Sequence, residues 1–260
     1  MQDLRISIVQ TSLFWEDKEK NLAMFSQKIS TMDEETDLII LPEMFTTGFS
    51  MKPSLFAEET EGETLQQMRK WAAKKKCVIT GSFIVLENGE YHNRLLWVRP
   101  EGTYETYDKR HLFRFAGEDK YYAVGQKKLI VEHKGWKICP LICFDLRFPV
   151  WSRNVNQEYD CLIYIANWPE VRDKAWSTLL EARAHENQCY VVGVNRIGED
   201  GNGISHSGNS VVIEAKGNII NKIQPNEEDI ETVTLSWGEL NDFRERFPIA
   251  KDADEFKLDI

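Results

Sequence analysis

Residues 137–151 read KICPLICFDLRFPVW, and the fold turns on how that stretch is parsed. An apolar run over 138–142 stops at Cys143 and gives way to Phe144, Asp145, Leu146 and Arg147, a mixture that reads as a turn opening a helix over 145–156. A thiol placed there sits at the carboxyl end of a buried strand and beside a helix amino terminus. The free N–H groups and positive end of such a helix favour thiolate and draw a cysteine below its ordinary pKa of about 8.5. The plainer reading is a small buried hydrophobe, which is what most free cysteines are.

Outward from this stretch, apolar runs alternate with helical patterns. Strands are expected at 4–9 and 37–41 and helices at 17–32 and 63–76, the opening of a layered α/β fold. Strands joined by tight turns follow over 77–108, with Asn88-Gly89 as a hairpin signal. The segment 112–127 is an aperiodic loop long enough to be functional. A hairpin over 129–142 delivers Cys143. Beyond it come a strand at 159–166, a helix at 173–188, a strand at 190–195, a glycine-rich loop at 198–208, a hairpin over 209–223, a strand at 229–235 and a helix at 236–246. No repeat and no linker interrupts the pattern, so residues 1–260 are expected to form one domain with 247–260 as its tail.

Composition narrows the partners. Hydrophobic residues make up 42% and charged residues 28%, which suits a globular protein with a sizeable core. A net charge of −10 argues against nucleic acid and against an anionic membrane surface, since phosphate binding needs clustered cations. No apolar run is long enough to span a bilayer, and the first residues lack the order of a signal peptide. The five cysteines are odd in number, and all but Cys143 lie within apolar patterns, so a reducing cytoplasm and no disulfide framework are expected.

Laid on these strands, the reactive side chains share one placement. Glu43, Lys109, Cys143 and Asn167 each follow a strand, and ligands of open α/β sheets bind outside the carboxyl ends of strands. A cysteine attacking a carbonyl or nitrile carbon needs a base, and Glu43, between Pro42 and the apolar Met44-Phe45, is placed for that role. Lys109 and the Phe144 N–H suit the resulting oxyanion. Two other classes stay open. One is a redox or metal protein using Cys139 and Cys143 with His111 or His206, although positions i and i+4 of a strand lie about 13 Å apart. The other is a binding protein on the same scaffold.

Leu41-Pro42-Glu43, residues 108–112 (DKRHL) and residues 143–149 (CFDLRFP) together resemble the three signature blocks of the nitrilase superfamily of carbon–nitrogen hydrolases. Asn167-Trp168-Pro169, residues 183–187 (RAHEN) and Asn195-Arg196 also sit at that family's spacing. The resemblance implies a four-layer αββα sandwich and a homodimer. It implies Glu43 as base, Lys109 as oxyanion stabiliser, Cys143 as thioester-forming nucleophile and Glu118 as an assisting carboxylate, with no metal and no cofactor. Phe144 stands where the family often has tyrosine. Within the superfamily the chain is most similar to bacterial omega-amidases. That implies release of ammonia from the terminal amide of 2-oxoglutaramate and 2-oxosuccinamate, with N-carbamoyl amines or other aliphatic amides as the alternative substrates. Arg147 is then a candidate fork for the substrate carboxylate, while Phe45, Phe115 and Trp168 are candidate pocket walls beside Phe144 and Asn167.

Overall fold

Leu38 and Ile40 face one way and Ile39 and Leu41 the other, yet all four are fully buried. A strand can be apolar on both sides only where both faces of its sheet are covered, and this one explains the layering. The computed structural model describes residues 1–258. In chain order its first half comprises β1 (Leu4–Gln10), α1 (Lys18–Thr31), β2 (Leu38–Ile40), α2 (Pro53–Phe56), α3 (Glu63–Lys75), β3 (Val78–Glu87), β4 (Glu90–Val98) and β5 (Tyr104–Asp108). Its second half comprises β6 (Val131–His133), β7 (Trp136–Ile142), α4 (Pro149–Ser152), β8 (Cys161–Ala166), α5 (Asp173–Asn187), β9 (Tyr190–Asn195), β10 (Ile197–Glu199), β11 (Ser205–Ser207), β12 (Val211–Ile213), β13 (Asp229–Leu235) and α6 (Trp237–Arg246).

One sheet runs β13-β1-β2-β3-β4-β5 and the other β12-β9-β8-β7-β6. Parallel pairing of β1, β2 and β3, and of β7, β8 and β9, aims the carboxyl ends within each set the same way. The β3–β4 hairpin closes on Asn88 and Gly89, both at positive φ, as a two-residue turn between Glu87 and Glu90 requires. Because β5 pairs antiparallel with β4, it runs in the direction of β2, and Glu43 and Lys109 leave the sheet at one end.

The outer face of the first sheet is covered by α1 and α3. Phe25 and Ile29 of α1 and Leu65, Met68 and Trp71 of α3 pack on Val9, Ile39, Ile79 and Leu96. Asp17 caps α1 by accepting from the Lys20 N–H at 3.1 Å. The inner face, with Ile6, Ile8, Leu38, Val78 and Trp97, packs on the second sheet through Ile138, Ile142 and Val194. On the far side, α5 sets Trp176 and Leu180 against β9 at Gly193, where an added Cβ would lie 2.6 Å from Leu180 Cδ1. Leu240 of α6 joins the same core. The order helix, sheet, sheet, helix is the αββα sandwich that the sequence blocks imply.

Local expectations fared unevenly. The helix expected over 145–156 is broken into a 3₁₀ turn at Cys143–Arg147, the single turn of α4 and a second 3₁₀ turn at Val155–Gln157. Proline restricts the residue before it and has no N–H to donate, so Pro149 ends one turn at Phe148 and starts the next. The glycine-rich loop contains the small β10–β11 ribbon, and the second arm of the expected 209–223 hairpin shrinks to a bridge between Ile213 and Ile219. Asp259 and Ile260 of the expected tail lie outside the described residues.

Candidate active site

Where β2 ends, Pro42 turns the chain and Glu43 enters the space between the sheets, fully buried. Its carboxylate is held from both sheets. Oε1 accepts from Asn93 Nδ2 and from Lys109 Nζ, both at 2.8 Å, and Oε2 accepts from the Asn167 backbone N–H at 2.8 Å. Asn167 also donates its side-chain Nδ2 to the Glu43 carbonyl at 2.6 Å. Lys109, the first residue after β5, is equally buried. Its ammonium meets Glu43 and both Glu118 oxygens, the latter at 3.0 Å, and stands 5.0 Å from the centre of the Phe49 ring. Glu118 is fixed in turn by the Phe113 N–H.

Cys143 follows β7 with φ +45°, the left-handed region that a non-glycine residue occupies only when its surroundings force it. It is 8% exposed. Burial pushes its thiol well above the ordinary range. The Glu43 charge pushes the same way, and Lys109 offsets them only in part. The expectation of a thiol lowered by a helix terminus is therefore corrected: the helix is one short turn, and desolvation disfavours the charged form more strongly. Burial also acts against a charged Lys109, but the carboxylates of Glu118 and Glu43 outweigh it and hold the ammonium above the usual lysine range. Glu118 is raised, first by burial and against the pull of Lys109. A cluster of one ammonium and two carboxylates already carries an excess negative charge, so a proton leaving the thiol must stay within it.

A second buried carboxylate fixes the geometry between strands. Asp145 Oδ2 accepts from the Tyr107 O–H at 2.7 Å and the Ile142 N–H at 3.0 Å, and Oδ1 accepts from the His111 N–H at 2.9 Å and pairs with His111 Nδ1 at 2.8 Å. It ties the residue before Cys143 to the segment just past Lys109. Asp145→Ala strands these donors, and each buried unpaired donor costs about 1–3 kcal/mol. We expect urea unfolding to show a loss of about 3 kcal/mol, with activity falling in parallel as the thiol and ammonium lose their spacing.

The cavity above Cys143 has a volume of about 190 Å³, room for a chain of a few carbons. Phe49, Phe113, Phe144, Trp168, Arg147 and Arg172 contribute to its wall. Asn167 lines it too, and Phe115 stands at its rim, 83% exposed. Phe45 is a correction. It lies in the core under α1 and α3, edge-on to Phe25 at 5.4 Å, and Gly81 leaves room for its ring, since a Cβ there would come within 2.9 Å. His111 is taken up by Asp145 and stacks on Phe148 at 3.8 Å, and His206 is buried and pushed down to about 4 by burial and by Arg196. Cys139 lies inside β7, its thiol pushed up to about 12 by burial.

Asn93, Phe49 and Phe113 went unnoticed in the sequence. Asn93 is set opposite Lys109 by the pairing of β4 with β5 across the turn at 99–103, and the Lys109 N–H donates to the Asn93 carbonyl at 3.0 Å. The phenylalanines sit in loops, where no periodicity assigns them a face.

An αββα sandwich whose facing strand ends, with the loop that carries Glu118, gather a thiol, an ammonium and two carboxylates defines a class, the nitrilase-type enzymes that hydrolyse carbon–nitrogen bonds. The chain belongs to the carbon-nitrogen hydrolase family, which matches residues 5–245. It is 45% identical to the omega-amidase YafV of Yersinia enterocolitica over 99% of this chain and 100% of that one. It is 30% identical to the 2-oxoglutaramate amidase of Bacillus subtilis strain 168, over 95% and 96%. Among solved structures, the CN-hydrolase superfamily protein XC1258 of Xanthomonas campestris, which carries an arsenic adduct in its active site, superposes with a TM-score of 0.97 at 43% identity over 100% of both chains.

Proposed function

We propose that this enzyme releases ammonia from the terminal amide of small 2-oxo acids, 2-oxoglutaramate and 2-oxosuccinamate among them. The observation that carries the reading is a small cavity with Cys143 on its floor and Arg147 in its wall. The Arg147 guanidinium lies 5.2 Å from the Trp168 ring and has no ion pair among the described residues. Two carboxylates that could pair with it, Asp145 and Glu186, are taken by other groups: Asp145 holds Tyr107 and His111, and Glu186 holds Arg183. The omega-amidase and 2-oxoglutaramate amidase relatives support the same substrate class.

In this reading Glu43 takes the thiol proton as sulfur attacks the amide carbon, and the Lys109 ammonium and the Phe144 N–H stabilise the oxyanion. The C–N bond breaks as Glu43 returns the proton to nitrogen, leaving ammonia and a thioester. Water, giving a proton to Glu43 with Glu118 assisting through Lys109, then cleaves the thioester and restores the thiol. The sequence resemblance further suggests a homodimer, for which exposed Val171 and Phe247 are available. Five unpaired cysteines suit a reducing cytoplasm.

Ammonia release across omega-amides of 2-oxo acids, N-carbamoyl amines and aliphatic nitriles tests the substrate class. The 2-oxo acid amides should lead by at least about tenfold in kcat/KM, and Arg147→Gln should cost them about 30–100-fold, chiefly in KM, as expected for a charge-assisted hydrogen bond of a few kcal/mol. Preferred turnover of a carbamoyl amine or a nitrile would displace the substrate assignment.

A further inference from the structure

The chain holds 13 arginines. Among the described residues, every guanidinium but two meets a carboxylate or a backbone carbonyl. The two without such a partner are Arg147 and Arg172, and both line the cavity above Cys143. In a protein of net charge −10, leaving two cations unpaired at one small pocket calls for an anion.

Arg172 lies on the short 3₁₀ turn Glu170–Arg172 that leads into α5. Its guanidinium carbon is 5.5 Å from the Phe113 ring centre and 5.3 Å from that of Phe115, and its carbonyl accepts from Trp168 Nε1 at 2.9 Å. Arg147 stands over the ring of that same Trp168. An arginine against an aromatic face keeps its N–H fork free in its own plane. Trp168 therefore carries one free fork over its ring and is tied through its indole N–H to the residue that bears the other.

We propose that Arg172 is a second specificity-determining residue, which together with Arg147 grips the planar 2-oxo carboxylate end of the substrate. This deepens the function proposed above and rests on it. A 2-oxo acid presents carboxylate and carbonyl oxygens in one plane, acceptors for two forks. The corresponding 2-amino acid replaces the carbonyl with an ammonium, a cation set against two cations. Asp200 is the one carboxylate among the described lining residues, and its Oδ1 is occupied by the N–H groups of Asn202 and Ile204 at 2.8 and 3.1 Å. The pair thus selects 2-oxo acid amides over amino acid amides such as glutamine.

Calorimetry with 2-oxopentanoate and L-norvaline, which lack the reacting amide, isolates this recognition. The wild-type enzyme should bind 2-oxopentanoate at least about 30-fold tighter than norvaline, Arg172→Gln should lose most of that preference, and Arg172→Lys should keep part of it. In turnover, Arg172→Gln should lower the ratio of kcat/KM for 2-oxoglutaramate over pentanamide by about 30-fold. Unchanged 2-oxopentanoate affinity in Arg172→Gln, or an equal fall for both amides, would overturn the assignment and leave Arg172 as wall. A wild-type enzyme that binds 2-oxopentanoate through Arg172 but leaves 2-oxoglutaramate intact would instead sink the proposed function and spare the anion site.

Discussion

Lys109→Met should lose at least about 10³-fold in kcat/KM and unfold about 10 °C below the wild type at pH 8. The kinetic loss follows from removing the ammonium proposed to meet the oxyanion, where deleting a single donor already costs about 10²–10³-fold. The thermal loss has a separate origin. Among the described residues Lys109 is the only cation bonded to Glu43 and Glu118, and all three side chains are fully buried. Breaking a buried ion pair by removing one partner costs about 3–5 kcal/mol, because the abandoned charge stays out of water, and in a chain of this size each kcal/mol moves Tm by about 2–4 °C.

The pH dependence gives this prediction its sign. Without Lys109, two buried carboxylates face each other and the folded state holds a proton that the unfolded chain releases. A carboxyl whose folded pKa lies above its unfolded value of about 4.3 contributes stability that is complete below that value and lost as pH rises through the folded one. Glu118 is raised even with Lys109 in place, so the shift has a ready carrier. The deficit in Tm should shrink as the pH is lowered from 8 to 5. A deficit that stays constant over that range in calorimetry would show that the two carboxylates are not coupled.

What could be read from the sequence, and what could not, divides along a physical line. Glu43, Lys109, Cys143 and Asn167 were legible because ending a strand is a local property, and parallel strands that end together bring their ends together. The αββα layering was legible in runs such as 37–41, since burial on both faces leaves no polar position. Asn93 was not, because its place opposite Lys109 depends on the pairing of two strands rather than on its neighbours in the chain. Phe45 misled for a related reason. It follows Glu43 by only two residues, but Gly81 on the adjacent strand opens the space that draws its ring into the helix-covered core. The thiol misled most: a helix terminus was expected to lower it, and Pro149 cut the helix short while burial in three dimensions raised it.

That raised thiol makes Glu43→Gln the sharpest test of the proposed chemistry, beside Cys143→Ala, which should abolish turnover outright. Two roles for Glu43 predict opposite results. As a bystander charge, Glu43 only hinders ionisation of Cys143, since its carboxylate helps push the thiol up, and neutralising it should speed alkylation by iodoacetamide. As the base, it accepts the proton during attack, and losing it should slow both alkylation and amide hydrolysis by about 10²–10⁴-fold at pH 7. Glutamine also cannot keep every bond: Oε1 faces the Asn93 and Lys109 donors and Oε2 faces the Asn167 N–H, so the new amide NH₂ must oppose a donor on one side. The geometry favours the second outcome, because a thiol held mostly protonated in a site of excess negative charge reacts only if its proton has a destination. Alkylation of Cys143 in Glu43→Gln, followed by mass spectrometry, should therefore be slow at pH 7 and climb about tenfold per pH unit as hydroxide replaces the missing base. Faster labelling than the wild type at pH 7 would remove Glu43 from the base role, whatever the substrate proves to be.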